Sequence, residues 1–382
     1  MKVVFTSQFK EETGGGAGRV AHELAQSFAK FHQTAIIYPA QKTGLHTTEH
    51  GLKAFGVKSA EQKDIHFPNL SQKTVKEIFS FLNDFQPDVI HAHDPVLLGL
   101  IGQIWAKMNQ VPFVHTAHIL PSKALEFGTN EALNIKIIPD SFSEAVTKRI
   151  LSDFYKNCDA LIALNQTAAK SIREFNYKGR VFIIPNGRNL EKYKSLNFPD
   201  ITKEQKTLTF IGYLTERKNQ DFLIQAMKHL PKNYQLQLLG APLNPEFANK
   251  LKKYCQDNNL DNVKFLGKVD HNKVPSYLSN SHLFVSASKK EVQSLAVIEA
   301  LASGTPVLGL SNETIDQLVN QNVGRKLDKS TSPQDFAQEI QKICQLSEDE
   351  YKNLCQNAQD SVAHLIWPNI VKKTTIEYQK LI

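Results

Sequence analysis

The chain has 382 residues, 41% of them hydrophobic, and a mean hydropathy of −0.33, enough for two domains with ordinary cores and unlike a disordered or fibrous chain. Its formal charge of +7 is spread over both halves with no block of one sign, which argues against a nucleic-acid binder. Cys158, Cys255, Cys344 and Cys355 form neither a CxxC nor a zinc-spaced set with histidine, and no apolar run approaches the roughly 18 residues that span a bilayer, so the expected setting is a reducing, cytoplasmic one.

The opening segment moves directly from Val3–Thr6 into polar residues and reads as a first strand, not as a leader peptide. A glycine-rich loop follows with Gly14, Gly15, Gly16 and Gly18. Val20, Leu24, Phe28 and Phe31 then recur at helical spacing, and Ala35–Tyr38 supplies a second strand. Strand-like runs continue at Val89–His91, Phe113–Thr116, Ala160–Leu164 and Val181–Ile184, with helical segments between most of them. This alternation predicts an α/β domain with a parallel sheet covered on both faces. After a polar stretch, Asn189–Lys206, the pattern restarts. Strands are expected at Leu208–Gly212, Leu236–Leu239, Val263–Gly267, Leu283–Ser286 and Val307–Leu310, and a helical face at Leu223, Ala226, Met227 and Leu230.

The run Gly16-Ala-Gly-Arg-Val-Ala21 matches GxGxxA. However, the dinucleotide fingerprint also needs an acidic residue at the end of the second strand, and Tyr38-Pro-Ala-Gln41 has none. Glycines at such a turn still let a ligand approach backbone amides. A stronger pattern is Lys290-Glu-Val-Gln-Ser-Leu-Ala-Val-Ile-Glu-Ala-Leu-Ala-Ser-Gly-Thr-Pro-Val307. Ser294 is placed to cap a helix over Leu295–Ser303, and Gly304 to end it. Glu291 then precedes the helix start and Glu299 lies about one turn inside. An open helix start attracts phosphate, and the flanking carboxylates can accept hydrogen bonds from sugar and ribose hydroxyls.

With this E-x7-E block followed by Glu299-Ala-Leu-Ala-Ser-Gly-Thr-Pro-Val307, the chain resembles the retaining GT-B glycosyltransferases of family 4. Supporting segments are the Gly14–Gly16 loop, His91-Ala-His-Asp94, His118, Pro185-Asn-Gly187, Gly212…Lys218 and Leu266-Gly-Lys268. Glu216–Ile224 and Glu291-Val-Gln look most like bacterial diacylglycerol glucosyltransferases. The resemblance implies two Rossmann-like domains facing across a cleft, residues 1–188 and 189–365, with a last helix (366–382) returning to the first. It implies hexose transfer, with glucose expected, from a UDP-sugar to a lipid or glycan, with no metal and no other cofactor.

On that resemblance Glu291 and His118 attend the transferring sugar and Glu299 holds the ribose. Lys218 binds the diphosphate. Ser294, Leu295 and Ala296 at the helix start, with Gly15 and Gly16, complete the donor site. Two departures stand out. Tyr213 occupies the place of a usual arginine, which Arg217 would have to replace, and Ser294 stands for a usual glycine. They keep two rivals open: a nucleotide-sugar epimerase, and a degenerate homologue that binds a ligand or partner without turnover. The stretch Ser143–Cys158, with Lys148, Arg149 and Lys156 among Val146, Ile150, Leu151, Phe154 and Tyr155, reads as a basic amphipathic helix that either lies on anionic lipid at the inner face of the membrane or packs on its own sheet.

Overall fold

The computed structural model describes residues 1–11, 15–62, 65–118, 149–194 and 197–382. They form two compact units: Met1–Arg188 with Leu365–Ile382, and Asn189–His364.

The first unit is built on strands β1 (Lys2–Thr6), β2 (Gln33–Ala40), β3 (Gly44–Thr47), β4 (Lys53–Gln62), β5 (Ile65–Pro68), β6 (Val89–Ala92), β7 (Phe113–Thr116), β8 (Ala160–Ala163) and β9 (Arg180–Ile183). Their order is β3-β4-β2-β1-β6-β7-β8-β9, with β5 paired to β4. From β4 to β9 the pairs are parallel, while β3 and β5 run antiparallel to β4. Every residue of β6, β7 and β8 is buried, as a parallel sheet covered on both faces requires. Strands β3, β4 and β5 were not expected; in β3, Leu45, His46 and Thr47 are exposed and carry no apolar alternation.

The chain proceeds from β1 outward through β2 and β4, then returns to the other side of β1 at β6. This reversal opens a crevice beyond the C-terminal ends of β1 and β6, where open α/β sheets hold ligands. Within the helix Gly15–Ala29, Val20, Leu24 and Phe28 are buried as the spacing predicts. Phe31 lies beyond the helix end and is 60% exposed. Gly15 and Gly16 are the helix's first two residues rather than a loop before it. Amides in a first turn have no carbonyl partner within the helix, so ligand access is retained. Gly14 lies outside the described residues.

Residues 149–156 are helical, and Leu151, Phe154 and Tyr155 are buried. Phe154 meets the rings of Phe113 and His115 edge-on at 5.8 and 5.1 Å. Most of the apolar side expected for a lipid surface therefore faces the unit's own sheet, leaving Ile150 exposed. Val146 and Lys148 lie outside the described residues.

The last helix, Trp367–Tyr378, belongs to the first unit. Arg188, wholly buried, contacts Glu23 at 2.6 Å, and Trp367 Nε1 donates to the same carboxylate at 2.8 Å. Gly187 is required beside this node, because a Cβ there would sit 2.4 Å from the Trp367 ring.

The second unit contains β10 (Lys206–Ile211), β11 (Tyr234–Leu239), β12 (Val263–Gly267), β13 (Leu283–Ser286), β14 (Val307–Leu310) and β15 (Gly324–Leu327). They form a six-stranded sheet, all parallel, in the order β12-β11-β10-β13-β14-β15, the doubly wound order with its reversal between β10 and β13. Leu223, Ala226, Met227 and Leu230 join Phe210, Leu236, Leu238 and Val285 in one apolar core.

Candidate active site

In the second unit the predicted donor residues gather at the C-terminal ends of β10 and β13. Lys218 closes a short 3-10 turn, Glu216–Lys218, capped by Thr215, whose Oγ1 accepts from Lys218 N–H at 3.4 Å. Glu291 lies in the loop after β13. Lys218 Nζ donates to Glu291 Oε1, and Arg217 Nη1 stands 3.7 Å from the same oxygen. Arg217 also donates to the Lys290 carbonyl at 3.0 Å. Burial alone would raise the Glu291 carboxyl. The two cations, together with hydrogen bonds from Lys218 and Ser288, hold it below its ordinary range.

The helix Leu295–Ala302 begins beside this cluster. Ser294 is its N-cap residue, but the Ser294 side chain makes no capping hydrogen bond; its N–H instead donates to Thr314 Oγ1 at 2.8 Å. Leu295 and Ala296 are half-buried, whereas Glu299 is buried among Val297–Ala302. The helix ends in a Schellman turn: Gly304 has φ +71°, its N–H donates to Leu301 O, and Thr305 N–H donates to Ala300 O, each at 2.9 Å.

Sequence reasoning missed the residues that shape this loop. The Glu291 N–H donates to Glu313 Oε2 at 3.2 Å, and Asn312, which caps the next helix, donates to Ser288 O at 3.0 Å. Their position directly after β14, the strand beside β13, is the signal that could have pointed to them.

In the first unit, His118 follows β7 at the equivalent crevice. His93 Nδ1 lies 2.8 Å from His118 Nε2. Around them, His91 meets Thr116 Oγ1 at 2.7 Å and the Tyr378 hydroxyl at 2.6 Å, and His115 Nδ1 donates to Ala92 O at 3.0 Å. Burial keeps all four rings neutral: His118 is lowered to about 4, His115 to about 3, and His91 and His93 well below the ordinary value. Asp94, accepting from Gln8 N–H at 2.9 Å, is raised by burial to about 6. Among the described residues no group of three or more His, Cys, Asp or Glu side chains is arranged to hold a metal ion, and no helix is long and apolar enough to cross a membrane.

Comparison with known proteins agrees with the fold. The Anabaena HepE structure in complex with UDP-glucose is similar at TM-score 0.77 and 18% identity, covering 100% of both chains. Sucrose-phosphate synthase from Thermosynechococcus elongatus is similar at TM-score 0.79 and 20% identity, covering 100% of this chain and 99% of that one. Among curated relatives, the alpha-monoglucosyldiacylglycerol synthase of Streptococcus pneumoniae is 27% identical over 63% of this chain and 55% of its own length. The corresponding Acholeplasma laidlawii synthase is 22% identical over 64% of each chain. The chain thus spans between half and two thirds of the length of these two synthases. The family description Glycosyltransferase Family 4 matches residues 14–192, and Glycosyl transferases group 1 matches residues 192–361. With one description on each half, the chain belongs to the family 4 glycosyltransferases and has the GT-B fold.

Proposed function

We propose that this glycosyltransferase moves glucose from UDP-glucose, with retention of configuration, to an amphipathic lipid or glycan hydroxyl. The observation that carries the reading is the Lys218–Glu291–Arg217 cluster beside the start of the helix Leu295–Ala302. A departing nucleotide diphosphate gathers negative charge, and Lys218 with the amides near Leu295 and Ala296 supplies positive charge where it grows. No metal enters this account.

Lys218 and Glu291 pair with one another. In this reading Lys218 takes the diphosphate and Glu291 the sugar hydroxyls. Glu299 takes the ribose. In the first unit, Gly15 and Gly16 offer backbone amides, and the neutral ring of His118 attends a sugar hydroxyl. With no evident covalent nucleophile among these groups, the acceptor attacks from the face the phosphate leaves, and the leaving phosphate oxygen takes its proton. Pre-organisation of charge supplies most of the rate.

Two relatives are alpha-monoglucosyldiacylglycerol synthases, which supports a glucosylated-diacylglycerol product, and UDP-glucose in the HepE structure supports the donor. The test is a mass-spectrometric screen of nucleotide sugars against pooled diacylglycerol, monoglycosyl-diacylglycerol and glycan acceptors. An α-glucosyl product is expected. An epimerised donor formed without acceptor would replace the reading with an epimerase. Donor binding by calorimetry with no turnover on any acceptor would replace it with a binding protein.

A further inference from the structure

His93 lies just past β6, at the reversal point of the first sheet, and is 1% exposed. Its backbone N–H donates to Thr6 O at 3.0 Å, and its ring lies against those of Phe5 and His91, with centroids at 6.0 and 4.5 Å. The His93 and His118 rings lie 23° from coplanar with centroids 5.1 Å apart. Two imidazoles meeting nitrogen to nitrogen across 2.8 Å reach that separation only when they point at each other edge-on. The contact is thus an in-plane N–H···N hydrogen bond rather than a stacking of faces.

A neutral imidazole carries one N–H. If His118 Nε2 donated, His93 would carry its proton on Nε2, which is buried and has no partner among the described residues. Among backbone groups, buried N–H donors are orphaned less often than carbonyls are left under-satisfied, and we carry that ordering over to the ring nitrogens. The lower-cost arrangement has His93 Nδ1–H donating to His118 Nε2. The orphan on His93 is then a lone pair, and the His118 proton sits on Nδ1.

We infer that His93 is a positioning residue that fixes His118 as the Nδ1–H tautomer, so that His118 offers the transferring sugar a hydrogen-bond donor. The inference rests on the reading that His118 attends the sugar. It adds that His118 acts as a fixed neutral donor and that His93, which touches no substrate, sets this state. The wider cluster supports it. His115 is fixed by a carbonyl acceptor, and His91 lies between two hydroxyls, so neither competes for the His118 ring.

The test is 15N-histidine NMR on the full chain, with His118 assigned by the signals lost in His118→Gln, alongside turnover of UDP-glucose. Wild type should show His118 protonated on Nδ1. His93→Leu should lose that preference and lower kcat roughly 10–100-fold, as loss of a partner that orients a functional imidazole does, with the KM for UDP-glucose near wild type. His93→Asn, whose amide nitrogen falls near the lost Nδ1, should restore both the tautomer and most of kcat. Wild-type His118 protonated on Nε2 overturns the inference. So does a folded His93→Leu with unchanged His118 signals, or a His93→Asn no better than His93→Leu. The NMR arm needs no turnover. If the wild type leaves UDP-glucose untouched, the donor reading fails while the tautomer result still decides the role of His93.

Discussion

The two units place their candidate site residues at the same point of the same topology and solve opposite electrostatic problems there. In the second unit the reversal between β10 and β13 holds a carboxylate, Glu291, between two cations, and burial is offset by opposite charge. In the first unit the reversal between β1 and β6 holds four histidines that burial keeps neutral, and a carboxyl, Asp94, pushed up to about 6. A buried group stays charged only where a partner answers it. On the proposed reading, the charged crevice suits an anion such as a diphosphate, and the neutral one suits hydroxyls and the hydrogen bonds they exchange.

Removing the cation should break this contrast most severely. On the proposed reading Lys218→Ala deletes the main side-chain charge for the diphosphate, and it leaves Arg217, at 3.7 Å, as the remaining cation beside Glu291. UDP-glucose turnover should fall by about 100-fold or more, as when one transition-state donor is lost. Steady-state kinetics giving wild-type turnover would refute the assigned role.

The carboxylates sharpen the contrast within the charged crevice. Glu299→Ala should weaken UDP binding by about 1.5–3 kcal/mol, the worth of a charge-assisted hydrogen bond. Glu291→Gln should leave UDP affinity unchanged or raise it, because Lys218 loses its competing partner, while turnover falls. Calorimetry with UDP separates the two; equal losses of affinity would end the division of labour.

Acid should act on the histidine crevice before the charged one. His118 and His115 have folded values near 4 and 3, below their ordinary 6.5. The unfolded chain therefore binds protons first, and their stabilising contribution is full above about pH 6.5 and lost as the pH falls from there through 4 and 3. Glu291 is held below 4.5, so its contribution disappears only at lower pH. Asp94 has the opposite sign. Its folded value near 6 exceeds the ordinary 3.8, so the folded state loses stability as pH rises from about 4 through 6. Asp94→Asn should therefore melt higher than wild type at pH 7 and lose that advantage at pH 4. Thermal melts at the two pH values check this, and an advantage confined to pH 4 would contradict the burial argument.

The smallest effect is expected for Arg217→Ala. Its guanidinium is already engaged with the Lys290 carbonyl and stands farther from Glu291 than Lys218 does. A severalfold loss of UDP-glucose turnover is expected. A loss equal to that of Lys218→Ala would mean that Arg217 fully replaces the arginine absent at Tyr213.

Much of this was legible in the sequence. The buried parallel strands Phe113–Thr116, Leu283–Ser286 and Val307–Leu310 stand where their apolar runs place them. The helix of the E-x7-E block ends at Gly304, where a positive φ favours glycine. Continuous apolar runs and special backbone angles are local properties, which is why they can be read residue by residue. The polar edge strand Gly44–Thr47 lacked both and was missed.

Tertiary structure alone decided which side of an amphipathic helix meets protein. The segment 149–156 has the same residues whether it lies on lipid or on a sheet, and only the packing of Phe154 on Phe113 and His115 selects the sheet. It alone also decided the states of the titratable groups. His93 and His118 are 25 residues apart, yet sit nitrogen to nitrogen because β6 and β7 are parallel neighbours. Lys218 and Glu291 are 73 apart, and pair because β10 and β13 flank one reversal. A sequence lists which groups can carry charge. The dielectric around each, and the partner that answers it, exist only once distant strands have been brought side by side.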